Sequence, residues 1–400
     1  DYYLRGNHHF QRTVLEKDCR VATEMYEKAI ELDPSFAPAY ASLSEAHARM
    51  WWFYYERTRE RVAGAKAAVD RALQLQPDLS EAHRALGYYY YHCQLDYERA
   101  LEEFAIAQKT KPNDARIASG IGFVLRRQGK IEQALANLKK ALALEPLSGD
   151  LASETGDTFA LMRNHEEADR YYDLSIKLAP DYPGPYYLKA RHQLRLAGDT
   201  AKARAVIETA QRLGLGSDPE VAYSRVLLDL YDGALQLAVT RLPSESWEAL
   251  ETQYYYVPKA LLQAQIYGLM NQPQLARSHY ESARKMAEAK IRQRPEEALF
   301  HSALGIAYAG LGRKQDAIRE GKAGADLLPV SKEAYRGFYR VEDLARIYVM
   351  VGDYEAAIGR LEYLMSIPGD LGVGALRLDP AWKPLRNHPR FQNLLRRYGG

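Results

Sequence analysis

The feature that most constrains this chain is an internal period of 34 residues, plainest between Ala115 and Pro180. Gly122 recurs as Gly156, Leu125 as Phe159, Ala134 as Ala168, Leu138 as Tyr172 and Pro146 as Pro180. A period of that length is one helix–turn–helix unit stacked on the next. Small residues stand where two helices must approach closely. Large apolar residues follow at helical spacing on the inward stripe. Pro lacks an amide donor and closes each unit. Such a stack buries surface only between neighbours, so 400 residues need no single core.

Carried outward, this register covers most of the chain as about ten units. In the first, Gly6 stands in the small slot, Ala22, Tyr26, Ala29 and Pro34 mark the second helix, and QRTVLEKD is an insertion between them. Pro34 to Pro77 is 43 residues, so the second unit holds extra residues around MWWFYYERTR. A first helix longer by two turns would carry Trp51, Trp52, Tyr54 and Tyr55 beyond the stack. Units three to six follow, the sixth with an AGD turn at 197–199 and a Gly-rich break, GLGSDP (214–219). The seventh is degenerate, and 243–252 reads as a loop or joint. Regular units resume at Tyr255, with turns at Asn271-Gln272-Pro273, GLGRK and VGDYEAA. Gly321 and Gly324 inside a helix cost stability relative to Ala and imply a close helix crossing. The tail from Leu371 on is punctuated by Pro and reads as short helices capping the last unit. The expected divisions are an array over 1–213, a degenerate joint over 214–254, a second array over 255–368 and a cap over 369–400.

The fold class expected is therefore all-α, a helical-repeat solenoid. A net charge of +2 gives no general case for nucleic-acid binding. No apolar run approaches the length of a membrane span. Cys19 and Cys93 are too few for a disulfide framework or a zinc finger and fit a reducing, cytoplasmic setting. The start, without Met and already helical in pattern, reads as part of a longer protein. Tyrosine is the outlier, 30 against 9 Phe, and serves as the large packing residue whose hydroxyl reaches the rim.

These units resemble the tetratricopeptide repeat, which implies a right-handed superhelix. GRKQDAIREGKAGADLLPVSKEA, VEDLARIYVMVGDYEAAIGRLEYLMSIPG and LRLDPAWKPLRNHPRFQNLL are similar to the C-terminal repeat regions of large bacterial signalling proteins. So is the opening YLRGNHHFQR. In that group the repeats follow a Ser/Thr kinase, a nucleotide cyclase or a winged-helix regulator. The resemblance implies a non-catalytic module serving an effector domain upstream. No kinase signature occurs in the chain itself.

If first helices line a concave face, its exposed positions are Arg84, Tyr88, Tyr91 and His92; Arg116, Phe123, Arg126 and Arg127; Glu154 and Asp157; and Tyr187, Arg191 and Arg195. Arg forks suit carboxylates, so one reading is a groove for an acidic or carboxylate-bearing peptide. The other is a solvated charged face with Glu154 and Asp157 paired to neighbouring Arg. Trp51, Trp52, Tyr54 and Tyr55 form a second candidate, either a docking surface or packing under the first unit. His8, His9, His47, His83 and His92 lack metal-ligand spacing, and no cofactor is expected. GLGSDP and GDLGVG (369–374) lack the strand a phosphate loop needs and read as breaks between helices. The leading function is binding of a protein or peptide partner, with 214–252 as a hinge. Self-association is the alternative. A small-ligand receptor is a third reading, in which Tyr254–Tyr256 or Tyr88–Tyr91 line a pocket.

Overall fold

The structure, a computed structural model, describes residues Asp1–Gly399. These residues are all-α apart from one short hairpin, and their helices pair antiparallel into ten successive hairpins. Packing divides the chain into two compact units, Asp1–Leu151 and the residues from Ala152 on.

The period is legible in the contacts. A methyl group on Gly122 would stand 3.1 Å from the Ala134 carbonyl oxygen and 3.0 Å from Leu138. One on Gly156 would stand 3.2 Å from the Ala168 carbonyl oxygen and 3.2 Å from Tyr172. Residues 34 apart thus make the same close helix–helix approach, in which a Cβ would force its neighbours to give by a few tenths of an ångström. Gly321 and Gly324 have the cause expected of them: a Cβ on the first would meet Ile347 at 2.6 Å, and one on the second the Ala298 carbonyl oxygen at 2.9 Å. At three turns, those of Leu95, Gly198 and Gly352, a left-handed residue is followed by a capping aspartate. Gly198 (φ 74°) precedes Asp199, whose carboxylate accepts from the Lys202 amide.

In the first unit the hairpins are Tyr2–Arg12 with Glu16–Leu32, Ala37–Trp52 with Arg59–Leu75, Ser80–Tyr89 with Tyr97–Thr110, and Ala115–Arg127 with Ile131–Leu144. Most of the expected insertion QRTVLEKD is helical, and only 13–15 connect. The helix ending at Trp52 is not lengthened by two turns. Tyr54 turns it back with φ 64°, and the Glu56 amide donates to the Met50 carbonyl at 3.2 Å. A π-helical turn, Tyr90–Gln94, closes the third first-helix.

The second unit differs from an open stack. Its hairpins pair Gly149–Leu161 (begun in the first unit) with His165–Leu178, Gly184–His192 with Thr200–Arg212, and Pro219–Tyr231 with Leu235–Arg241. Lys259–Leu269 with Pro273–Gln293, Ala298–Gly310 with Lys314–Leu327, and Ala334–Met350 with Tyr354–Ser366 follow. The expected joint is packed: Val226, Val239, Leu242, Trp247 and Leu250 share a core with Leu262 and Ile266. Within the stretch expected to be a loop up to the resumption of regular units at Tyr255, Ala249–Glu251 pairs antiparallel with Tyr256–Pro258, and the next first helix, Lys259–Leu269, follows directly. The reason is local, because Tyr255 and Val257 alternate with the buried Tyr256 and give a strand period of two.

The tail caps the last repeat as expected: Trp382, Leu385, Phe391 and Leu394 complete a core with Leu344, Tyr348 and Leu361. It also returns to the start of its own unit. Arg163 donates to the carbonyls of Leu371 (3.1 Å), Ile367 (2.9 Å) and Leu364 (3.0 Å), and the Gly369 amide donates to the Leu161 carbonyl at 2.8 Å. GDLGVG is thus more than a break. Gly372 and Gly374 lie against the π-helical turn Gln193–Ala197 and Gly198, and a Cβ on Gly372 would come 2.9 Å from Leu196 Cα. Within this unit the chain closes on itself around a cavity that opens to solvent.

Candidate functional site

In the first unit the expected groove arginines are buried or engaged rather than exposed. Arg84 is 4% exposed and donates to Glu45 at 2.9 Å and Asp114 at 2.7 Å. Arg116 also pairs with Glu45, and Asp114 further caps the helix that begins at Ala115. Arg126 and Arg127 are each 2% exposed. The Arg127 guanidinium lies 4.9 Å from the Trp52 ring and donates to the Tyr91 hydroxyl at 3.1 Å. Tyr91 is itself buried, Phe123 is half-buried, and the Tyr88 hydroxyl donates to the Arg116 carbonyl at 2.9 Å. The physical reason is that helix register fixes a face but not what stands opposite it. Here Glu45 of the second hairpin and Asp114 at the start of the fourth stand opposite the Arg84 guanidinium, and Glu45 also reaches Arg116 of the fourth.

The aromatic run divides. Trp52 is core, 3% exposed, stacked 4.7 Å from His92 and tilted against Tyr91 at 4.8 Å. Trp51 and Tyr54 are half-buried, with the Arg57 guanidinium 3.8 Å and 4.3 Å from their rings, and Tyr55 lies 6.0 Å from Phe53. Histidines are similarly engaged: His83 bonds Glu103 at 2.7 Å, and His47 bonds Arg61 at 2.7 Å. Among the described residues no group of three or more His, Cys, Asp or Glu could hold a metal ion. No helix there is long and apolar enough to cross a membrane.

The second unit holds a cavity of about 390 Å³, within the size range of ligand sites. Its wall is built from Tyr187 and Arg191 on Gly184–His192, Glu220, Tyr223 and Leu227 on Pro219–Tyr231, and Tyr254, Tyr255 and Val257 on the hairpin. Leu261 and Gln265 on Lys259–Leu269 and Tyr339, Arg340, Asp343 and Arg346 on Ala334–Met350 complete it. Leu269 and Met350, both exposed, stand at its rim. Tyr254 lies 5.2 Å from Tyr335 and 5.5 Å from Tyr339, and Tyr223 lies 5.6 Å from Tyr255.

Arg191 and Arg195, the two expected groove arginines of this unit, line this cavity together with Tyr187. Both arginines are partnered. Arg191 lies 3.4 Å from Asp157 and 3.6 Å from Asp370; Arg195 lies 2.6 Å from Glu342 and 3.1 Å from Asp370. Asp157 therefore pairs with an Arg of the next first-helix, as one sequence reading had it. Arg346 bridges Glu342 (3.0 Å) and Asp379 (2.7 Å). Between them, Arg195 and Arg346 hold the Glu342 carboxyl low against the opposing effect of its burial, at about 2.

Glu220 differs. Its carboxylate accepts from the Tyr255 hydroxyl, a neutral donor, and Arg191 acts on it only from a distance. Burial pushes its carboxyl up to about 7. Asp343 is also raised by burial, although Arg340 donates to it at 3.0 Å. Reading residue types missed Glu220, because an acid in a helix's first turn after a Pro is ordinary. It missed Arg163 too, although an Arg where the neighbouring turns carry Gly was a usable signal.

The fold and these contacts define an all-α helical-repeat solenoid. Residues 121–183 and 262–331, about a third of the chain, match the tetratricopeptide repeat family. Protein FlbA of Caulobacter vibrioides is 27% identical over 206 residues, which is 51% of this chain and 33% of FlbA, so the chain spans about a third of that relative. Two solved structures are similar. TTC0263, a thermophilic TPR protein of Thermus thermophilus, shares 19% identity over 47% of this chain and 95% of its own, with a TM-score of 0.39. Pseudomonas aeruginosa PilF shares 17% over 64% and 92%, with a TM-score of 0.36.

Proposed function

We propose that this chain is a non-catalytic interaction module that binds a segment of a protein partner, and that the segment enters the tyrosine-lined cavity of the second unit. The observation that supports this reading is the cavity itself: aromatic and aliphatic walls, arginines and acids fixed from several helices and mostly paired with one another, and an exposed apolar rim at Leu269 and Met350. Pockets of that composition bind apolar groups and orient them by their polar contacts. Tetratricopeptide repeats are interaction modules, and the resemblance to bacterial signalling proteins adds an effector domain as the recipient of the signal. The arginine-for-carboxylate groove is not carried forward, because the forks of Arg84, Arg116, Arg191 and Arg195 already hold carboxylates.

Peptides selected from a random display library on the intact chain test this. Gln265→Trp places an indole in the cavity, and selected peptides are expected to lose affinity roughly tenfold or more. Peptides indifferent to Gln265→Trp would refute the cavity as the site. A stable dimer in light scattering that Gln265→Trp dissociates would move the reading to self-association.

A further inference from the structure

Four guanidiniums line the cavity, those of Arg191, Arg195, Arg340 and Arg346. Six carboxylates surround them: Glu220, Glu342, Asp343 and Asp379 in the wall, and Asp157 and Asp370 bound behind it. Arg163, which also acts on Asp370, is engaged with three carbonyl oxygens, and counting it still leaves the acids in excess. Each wall arginine has a carboxylate within ion-pair distance. Glu220 has a phenol instead.

A ligand carboxylate entering this site would compete with an acid already within ion-pair distance of every wall guanidinium and would add a further negative charge to a site where acids are in excess. A ligand cation takes no acid's present guanidinium; near neutral pH it displaces only the proton that the buried Glu220 carboxyl partly retains. It gives Glu220 a charge-assisted partner and lies among rings of the kind that attract cations, one of which, Tyr254, already has the Arg191 guanidinium 5.6 Å from its centroid.

We infer that the cavity takes a protonated amine on an apolar body, presented as a lysine side chain of the partner segment, with Glu220 as counter-ion and Tyr223, Tyr254 and Tyr255 as the aromatic wall. This rests on the cavity being the partner site. Leu261, Leu262 and Leu227 accommodate the methylenes, as apolar surface does for any long cationic side chain. Gln265, also in the wall, is a neutral group able to accept from the ammonium.

The probes are two pools of random short peptides that differ only at a fixed central position, lysine or glutamate, together with n-hexylamine. All are titrated against the intact chain, Glu220→Gln and Gln265→Trp. The lysine pool is expected to bind about tenfold more tightly than the glutamate pool, the worth of one charge-assisted contact. Glu220→Gln, which keeps an acceptor for Tyr255, is expected to erase that preference while Gln265→Trp weakens both pools. Asp343→Asn is the second variant should Glu220→Gln not fold, and it is expected to halve the preference or more. Equal binding, or a glutamate preference, with both pools still released by Gln265→Trp would overturn the lysine inference and leave the partner site standing. Pools indifferent to Gln265→Trp would overturn both. Binding of n-hexylamine without either pool would overturn the lysine side chain as its source and make the site a small-amine receptor.

Discussion

Replacing Glu220 by Gln changes one proton and almost nothing else. The side chains are isosteric, and the amide oxygen still accepts from the Tyr255 hydroxyl. The wild-type carboxyl has its midpoint at about 7 because it is desolvated beside tyrosines, with a neutral donor as its partner. An unfolded chain releases that proton in the ordinary range of glutamate. Between that range and about pH 7 the folded state holds a proton that the unfolded state has lost, so wild-type stability falls as pH rises through this window. Below the window both states are protonated and the penalty vanishes. At about 1.4 kcal/mol per pH unit the full gap is worth about 3 kcal/mol. Since Glu220 keeps some solvent access, about 2 kcal/mol is the working figure. Glu220→Gln should therefore match wild type near about pH 4.5 and exceed it by about 2 kcal/mol at about pH 8, or about 4 to 8 °C in Tm for a unit of this size. Urea unfolding of both proteins at the two pH values measures this, and the difference of differences cancels every other titrating group. A pH-independent difference, or a less stable variant at the higher pH, would refute the reasoning and remove the unmatched acid from the cavity.

Other perturbations follow from the same contacts. Arg163→Ala removes three charge-assisted bonds to carbonyls that tie the end of the last repeat and the start of the tail to the beginning of the second unit, and should cost about 3 kcal/mol in urea unfolding while increasing hydrogen exchange at the Gly369 amide. Glu45→Gln leaves Arg84 and Arg116 without their shared counter-charge in a buried setting and should destabilise the first unit by about 3 to 5 kcal/mol, read by thermal melting of the intact chain. His301 is raised above its ordinary value by its bond to Glu320, so its contribution is fully present below the unfolded histidine range and is lost as pH rises through the folded value. Glu320→Gln should accordingly cost more stability at about pH 5.5 than at about pH 8.5, and a cost independent of pH would contradict this.

The sequence by itself determined what depends on near neighbours. The period, the glycine slots at 122 and 156, the turns at Gly198, Gly312 and Gly352, and the capping role of the tail all express contacts within a hairpin or between adjacent hairpins. Sequence separation and helical phase specify such contacts. The tertiary structure alone decided the rest. Arg84, Arg126 and Arg127 occupy the expected face, yet that face is covered, and the acids that meet Arg84 stand at distances along the chain that carry no periodic signal. The closure of the second unit joins Arg163 to Leu371 and Arg195 to Glu342, across separations at which a repeat register is silent. Burial, not residue type, singles out Glu220: a glutamate in a first helical turn is unremarkable until the surrounding tyrosines and a returning chain remove water from one side of it.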